Sequence, residues 1–379
     1  MAGIMMRRGR PVLGAILLSC LLASLHACDS RGCPTCVEGV DPARLIDPAT
    51  LGDGSGYPGA VWTTAPDPRR LGWSAARLAG VGDYAASLGS HGLMVVDRGV
   101  VVLEHGHTSG NLIVQSVRKS FLSALFGIYH AQGFIDLQAT MEDLGIDDLP
   151  PSLTPEEKQA TVEHLLMALS GIYHEAAAES PSMKAARPAR GSHPPGTFWY
   201  YNNWDFNALG TIFIQLTGKD VFQALYDDLA APLQMQEFLP ANGWYFYQEM
   251  SEHPAYHFTM SPRDMARFGL LMLREGRWRD RQIVPESWVR RSLQPYSDAG
   301  SGWSYGYMWW VGKTDAWGGH DVFAALGGTG QAIYVVPSME VVITHKVDNS
   351  TWTHGWAQVN QLVRMIVAAK VQFPGTGPQ

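Results

Sequence analysis

Residues 116–133, SVRKSFLSALFGIYHAQG, place a serine three positions before a lysine at the start of an apolar segment. The pattern predicts a buried helix that ends near Gly133. Side chains three residues apart lie on one face of a helix, so Ser116 and Lys119 would meet in its first turn. The unpaired N–H groups and the helix dipole favour negative charge there. One turn would thus supply a nucleophile, its base and half of an oxyanion hole.

A serine three residues before a lysine also occurs by chance, and the alternative is an exposed pair without a role. Of the seven lysines, only Lys119 has a serine at this offset, and it lies in an apolar helix where a lone cation is costly. A second segment, PPGTFWYYNNWDFNALG (194–210), adds Tyr201 and Asn203, six and eight residues after Pro195. Alone, this segment would be interpreted as an aromatic loop before a core helix.

Ser-x-x-Lys, followed by Pro-Gly, a spacer, Tyr-x-Asn and Leu-Gly, resembles the serine β-lactamase-like superfamily. Within it, the chain is most similar to class C β-lactamases, serine-type esterases and 6-aminohexanoate-dimer hydrolases. Tyr200-x-Asn202 is a competing frame for the Tyr-x-Asn motif. The number of residues from Pro195 to Tyr201 and from Tyr201 to Gly210 matches the family's spacing, so Tyr201 is preferred. The resemblance covers nearly all of the chain after about Leu71 and includes LMVVDRGVVVLEHG (93–106) and SPRDMARFGLLMLREGRW (261–278).

The expected fold class is α+β. Periodicity predicts a hairpin over 91–105, several short strands within 301–347 and a closing helix within 351–371. An antiparallel sheet built from both chain ends, flanked by helices and carrying a mostly helical insertion at about 135–300, is also what the resemblance implies. The groove between the two parts would be the catalytic site.

The resemblance implies a mechanism in which Ser116 attacks a carbonyl and forms an acyl-enzyme. Burial should lower the pKa of Lys119 so that it can accept the serine proton. Tyr201 would relay the proton to the leaving group, and Asn203 would orient the lysine. Which of Lys119 and Tyr201 is the base stays open. The backbone N–H groups of Ser116 and Gly328 would form the oxyanion hole.

The third family motif departs from the usual pattern. Relatives carry Lys-Thr-Gly or His-x-Gly on the strand beside the site, and the counterpart here is Ala325-Leu326-Gly327. The missing cation argues against a β-lactam or a D-alanyl-D-alanine peptide as the preferred substrate. Gly327 and Gly328 remain, and a glycine allows close approach of the backbone to the reacting carbonyl.

Aromatic residues are numerous, with 13 Trp, 14 Tyr and 13 Phe, and several fall near the motifs. Core packing accounts for many of them. The others would wall a pocket for an apolar acyl or alkyl group. The candidates for substrate binding are Tyr173, Trp199, Trp204, Trp309 and Gly327.

The predicted function is hydrolysis of a small ester or amide. The alternatives are a D,D-peptidase or β-lactamase, and a non-catalytic module that binds or senses cell-wall fragments. A Ser-His-Asp hydrolase is disfavoured because no G-x-S-x-G motif occurs. His253 and His257, in the predicted loop HPAYHF near the groove, are interpreted as structural. No metal motif is present and no cofactor is expected. The net charge of −7 gives no reason to expect nucleic acid as a partner.

The N-terminus predicts export. Residues 1–27 combine three arginines with a short apolar run, as in a signal peptide. Leu25-His26-Ala27-Cys28 resembles a bacterial lipobox, which would lipidate Cys28 and hold the protein on a membrane, in the periplasm or at the cell surface. Cys20 is a weaker candidate, and ordinary cleavage near Ala27 is the alternative. Residues 28–70 are expected to be a tether to the domain at 71–379, and Cys33 and Cys36 are more suited to a local disulfide than to zinc.

Overall fold

The computed structural model describes residues 45–371, and an eight-stranded antiparallel sheet is its centre. The strand order is β2-β1-β13-β12-β11-β10-β9-β8, so the first and last strands of the chain pair with each other, next to the edge strand β2. The strands are β1 (Gly92–Asp97), β2 (Val100–Gly106), β3 (Leu112–Ile113), β4 (Gly243–Gln248), β5 (Ser251–Met260), β6 (Arg277–Trp278), β7 (Arg281–Gln282), β8 (Ser297–Gly300), β9 (Trp303–Tyr305), β10 (Trp310–Gly312), β11 (Phe323–Gly327), β12 (Gln331–Val336) and β13 (Val341–Lys346). The expected α+β fold with a sheet from both chain ends is confirmed.

Helices cover both faces of this sheet. They are α1 (Ala75–Ser87), α2 (Val117–Ala131), α3 (Met141–Leu144), α4 (Val162–Leu166), α5 (Pro181–Ala186), α6 (Asn203–Thr217), α7 (Val221–Leu225), α8 (Pro262–Leu273), α9 (Glu286–Ser292) and α10 (Trp356–Ala369). Helices α1 and α10 pack together on one face, and α2 and α8 contact strands from the other. Alternate residues of β12 therefore enter different cores: Ile333 lies in the α2 and α8 core, and Tyr334 lies in the α1 and α10 core.

The inserted middle region is helical but also contains a second sheet, of order β3-β5-β4. The segment HPAYHF lies in strand β5 rather than in the expected loop. Its residues pair with β4, and Trp244 stands opposite His257. Strand β3 joins β5 directly before the predicted nucleophile, so this sheet forms a wall beside the first turn of α2.

The described part of the predicted tether, residues 45–70, lies against the domain. Backbone hydrogen bonds join Ala65 N to Val101 O (2.8 Å) and Val101 N to Thr63 O (2.9 Å). The guanidinium of the buried Arg267 donates to the carbonyls of Gly59 (2.8 Å) and Ala60 (3.0 Å). This stretch therefore packs as part of the folded unit.

The predicted signal peptide, Cys20, the lipidation candidate Cys28, and Cys33 and Cys36 lie outside the described residues. Within residues 45–371, none of the helices has the length and apolarity needed to cross a membrane. The same range contains no cluster of three His, Cys, Asp or Glu side chains placed to hold a metal ion.

Candidate active site

A cavity of about 510 Å³ opens where the first turns of α2 and α6 meet strands β5 and β11. Its lining residues come from segments far apart in the chain. They are Gln115, Ser116, Arg118, Ala178, Ser180, Met183, Tyr201, Asn203, His257, Ala299, Gly300, Ser301, Trp303, Trp310, Leu326, Gly327, Gly328, Trp356 and Asn360. The volume is that of a small-molecule site.

Ser116 directly precedes α2, one position before the first turn in which the sequence pattern places it. The first turn is closed by hydrogen bonds from Val117 N to Val114 O (3.2 Å) and from Lys119 N to Ser116 O (3.1 Å). Gln115 enters it with φ = 52°, a left-handed conformation that is uncommon outside glycine and is often found at functional sites. The turn places Lys119 Nζ 2.9 Å from Ser116 Oγ.

Lys119 contacts each of the other three predicted catalytic and supporting side chains. Its Nζ lies 2.6 Å from Tyr201 Oη and 2.9 Å from Asn203 Oδ1, and it is 4.1 Å from the centre of the Tyr201 ring. The side chain is only 1% exposed. Burial lowers the pKa of Lys119 well below its usual value, and the positive charge of neighbouring Arg118 lowers it further.

Tyr201 and Asn203 stand at the start of α6. Asn202 caps this helix, because its side chain accepts a hydrogen bond from Trp204 N. Asn203 Nδ2 donates to Ala178 O (2.7 Å), which leaves Oδ1 facing Lys119. Burial raises the pKa of Tyr201 to about 12, so its phenol is neutral at physiological pH.

The competing frame, Tyr200-x-Asn202, points away from Lys119. Tyr200 Oη donates to Met183 O (2.8 Å), and the fully buried Asn202 donates to Ile172 O (2.7 Å). The frame chosen from the spacing is therefore the one that reaches the lysine.

Strand β11 forms the wall opposite α6. Gly328 lines the cavity together with Ser116, so the two expected oxyanion residues share one space. A Cβ atom on Gly327 would lie 2.4 Å from Val114 O, and close packing against the segment before the nucleophile therefore requires this glycine. The side chain of Ala325 is fully buried in the core and does not line the cavity, whereas Leu326 does.

The structure places four of the five predicted substrate-binding residues away from the cavity. Trp204 is buried and donates to Asp148 (2.7 Å), Trp309 stacks on Phe268, and Tyr173 lies 3.2 Å from His193 Nδ1. Trp199 packs against the rings of Tyr305 and Trp310 and does not line the cavity. Of that set only Gly327 lines the cavity.

Other aromatic residues take the place of these four, namely Trp303, Trp310 and Trp356. Trp309 and Trp310 show why the assignment differs. Adjacent side chains at a strand point to opposite sides, and Trp309 turns into the core while Trp310 turns into the cavity. The sequence alone does not show which of these two neighbouring tryptophans faces the cavity.

His257 and Arg118 are among the polar residues of the cavity that were not predicted as site residues. His257 lines it from β5, whereas the neighbouring His253 is held by Thr211 Oγ1 and Asp147 O and is structural. Burial and the charges of Arg118 and Lys119 lower the pKa of His257 to about 3, so this imidazole is neutral. Arg118 lies within the Ser-x-x-Lys motif itself, and its unusual position in an apolar helix was the available signal.

Solved structures with a similar fold support the architecture. The chain is similar to a 6-aminohexanoate-dimer hydrolase assigned in Bacillus anthracis, with 21% identity, 86% of this chain and 88% of that chain covered, and a TM-score of 0.60. A D-stereospecific amidohydrolase from Streptomyces sp. has 18% identity, coverage of 76% and 97%, and a TM-score of 0.53. A penicillin-binding protein homologue from Caulobacter crescentus has 17% identity, coverage of 77% and 96%, and a TM-score of 0.55. At these identities the likeness concerns the fold alone.

No curated protein matches the sequence. The sequence does match a protein-family model, and the matched region includes the nucleophile candidate, the Tyr-x-Asn segment and strand β11. Because the match to the Beta-lactamase family extends over residues 84–347, well over half of the chain, this protein belongs to the Beta-lactamase family.

Proposed function

We propose that this protein is a serine hydrolase that forms an acyl-enzyme on Ser116 and hydrolyses a small ester or amide. The observation that carries the proposal is the position of Lys119, whose Nζ lies within 2.9 Å of Ser116 Oγ, Tyr201 Oη and Asn203 Oδ1. A buried lysine whose pKa is lowered can accept the proton of a neighbouring serine hydroxyl and so activate a nucleophile that is otherwise too weak. Membership of a hydrolase family supports the same conclusion.

In the acylation step, Ser116 Oγ attacks the substrate carbonyl and its proton passes to the Lys119 and Tyr201 pair. The oxyanion would accept hydrogen bonds from the backbone N–H groups of Ser116 and Gly328. The pair then protonates the leaving alcohol or amine as the C–O or C–N bond breaks, and the acyl group stays on Ser116. Asn203, fixed by Ala178 O, keeps the lysine in place.

In the deacylation step, a water molecule gives a proton to the same pair and attacks the acyl carbonyl. The ester bond to Ser116 breaks, the carboxylic acid leaves, and the proton returns to Ser116 Oγ. Tyr201 is suited to this relay because it is partly exposed to the cavity and also contacts Lys119.

Labelling with a fluorophosphonate probe and peptide mapping tests the nucleophile. Wild type should be labelled on Ser116 and should sustain p-nitrophenyl butyrate hydrolysis, whereas Ser116→Ala should lose both with nearly unchanged thermal unfolding. Ser123→Ala is the matched control, since Ser123 is a buried serine of α2 that does not line the cavity. Full activity of Ser116→Ala would refute the mechanism.

The second candidate is a β-lactamase or D,D-peptidase, which the family and the penicillin-binding protein homologues among the similar folds favour. The cavity-lining residues of β11, Leu326 and Gly327, carry no cation of the kind that those enzymes use, and this disfavours the second candidate. Nitrocefin turnover faster than that of short-chain esters would select this candidate instead. A single burst of acylation without turnover would select a binding or sensor module.

We also propose that Cys28 is lipidated and anchors the exported protein to a bacterial membrane. The basic and apolar run before Cys28 supports this. Cys28→Ala should move the protein from the membrane to the soluble fraction without changing its specific activity. A wild-type protein that is soluble and unmodified at its mature N-terminus would contradict the anchor.

A further inference from the structure

Arg118 is a buried cation without a counterion. The residue is 2% exposed, and its guanidinium donates one hydrogen bond within the described residues, from Nη2 to Asn207 Oδ1 at 3.3 Å. The Nε atom is buried and has no partner, and the guanidinium lies over the ring of Tyr256 at 5.0 Å. Among residues 45–371, Arg118 forms no ion pair with a carboxylate, and its pKa is lowered by burial with only tyrosine side chains acting against the shift. An unpaired buried charge destabilises a fold unless something compensates for it.

Arg267, the other fully buried arginine of the described chain, provides the contrast. Its two terminal nitrogens donate to Leu233 O (2.9 Å), Gly59 O (2.8 Å) and Ala60 O (3.0 Å). That guanidinium fastens residues 59–60 to α8, and it does not line the cavity. Arg118 has no comparable set of acceptors, so a structural role does not account for its burial.

The surroundings of Arg118 contain further unused polar groups. Tyr256 Oη and His257 Nδ1, both on β5, are buried without hydrogen-bond partners. His257 and Arg118 line the cavity, and the Trp244 ring stacks on the His257 ring at 5.7 Å. Arg118 is the one charged side chain among the cavity residues, and no Asp or Glu is among them. The cavity therefore presents a positive charge and donors to whatever fills it.

We propose that Arg118, assisted by His257, binds a carboxylate carried by the substrate. This inference rests on the proposed function and specifies its substrate class as acidic esters or amides. A guanidinium presents two parallel N–H groups that match a carboxylate, and a monoanion balances its single charge. The carboxylate would lie beside α6 and β5, where Arg118 contacts Asn207 and Tyr256. Arg118 would thus supply, from a different wall of the cavity, the positive charge that the third motif lacks.

Two matched ester pairs test the proposal and locate the acid. Mono-p-nitrophenyl adipate is compared with its methyl ester, which places the acid in the acyl part. 3-Acetoxybenzoate is compared with its methyl ester, which places the acid in the leaving group. In wild type, kcat/KM for the acid should exceed that for the neutral ester in at least one pair. Arg118→Met should lower that ratio about 10- to 100-fold, which is the worth of a charge-assisted hydrogen bond.

The ratio is the diagnostic quantity, because removing the charge next to Lys119 will also alter the chemistry on neutral esters. Arg118→Lys should retain part of the preference, and His257→Phe should reduce it less than Arg118→Met. The control is Lys184→Met, which removes the same charge from exposed helix α5 outside the cavity and should leave the ratio unchanged. An equal loss on acid and neutral ester, or no preference in either pair, would overturn the inference.

Binding to a Ser116→Ala protein separates this inference from the proposed function. Adipate monomethyl ester should raise the melting temperature of Ser116→Ala and should not raise that of Ser116→Ala/Arg118→Met. If neutral esters are hydrolysed but no acid binds, the carboxylate site is wrong and the hydrolase stands. If the acid binds through Arg118 but wild type turns over no ester, the hydrolase is wrong and the site stands.

Discussion

Lys119 and Lys346 are both almost completely buried, and burial lowers the pKa of each well below the usual lysine value. Their partners differ. Lys346 Nζ donates to the carbonyls of Leu112 (2.8 Å) and Ile113 (2.9 Å), groups that only accept. Lys119 contacts two hydroxyl groups, on Ser116 and Tyr201, that can themselves give up or receive a proton.

The difference shows that burial alone does not make a base. Carbonyl acceptors favour the amine as a donor, so Lys346 serves to join β13 to β3, the strand that leads into the nucleophile turn. A base needs a proton donor within hydrogen-bond reach and an opening to the substrate. Only Lys119 has a cavity-lining serine and tyrosine as neighbours.

Replacing each lysine with methionine tests most directly whether the two lysines have different roles. Lys119→Met should lower kcat/KM for p-nitrophenyl butyrate about 10²- to 10⁴-fold, because the general base is lost. It should change the free energy of unfolding little, since Ser116 and Tyr201 still face the cavity and only Asn203 Oδ1 loses a donor, while the cost of burying the amine is removed.

Lys346→Met should have the opposite profile. The carbonyls of Leu112 and Ile113 lose their donor, which should lower the free energy of unfolding by about 1–3 kcal/mol in denaturant titrations. The folded fraction should remain active. If Lys346→Met lost activity as severely as Lys119→Met while staying folded, the two lysines would not have the separate roles assigned to them.

The second prediction concerns the backbone that Lys346 supports. Gly327 faces Val114 O, and an added Cβ would come within 2.4 Å of it, whereas a Cβ on Gly328 would meet nothing within 4 Å. Gly327→Ala should therefore push β11 away from the nucleophile turn and destabilise the protein by about 1–3 kcal/mol. It should also lower kcat while changing KM less, because the two oxyanion donors move apart.

Gly328→Ala is the matched control for this overlap. Its melting temperature should stay near that of wild type, since the new methyl group has free space. Equal stability of the two alanine variants would show that β11 does not rest on Val114, and the link between Lys346 and the nucleophile turn would lose its support.

Much of the site follows from local sequence. Helical spacing is sufficient to bring Ser116 to Lys119, and the family's spacing between its Pro-Gly and Tyr-x-Asn motifs selects Tyr201 over Tyr200. Strand-like runs near both ends of the chain indicate the members of the sheet, and the family resemblance implies that they join in one sheet, as β1 and β13 do. The helical turn and the individual strands depend on contacts within one turn or one strand, where periodicity is informative.

The cavity wall could not be predicted in the same way. Whether Trp309 or Trp310 faces the cavity depends on strand parity, and His257 reaches it only because β5 pairs with β3. Arg118 was visible in the motif, but its lack of a counterion becomes apparent only when α6 and β5 are in place. Nor does composition reveal that residues 45–70 pack against the domain.

The smallest predicted effect uses pH to separate the two lysines. Protonated Lys119 cannot accept the proton of Ser116, so kcat/KM for a neutral ester should fall on the acidic side as Lys119 becomes charged. The charge of Arg118 disfavours this protonation and lowers the pKa of Lys119. Removing it in Arg118→Met should raise that pKa and move the acidic limb of the pH profile to higher pH. Lys346→Met should leave the limb where it is, because Lys346 contacts only carbonyl groups of β3. A limb that moved with Lys346 and not with Arg118 would show that the titrating group is not Lys119.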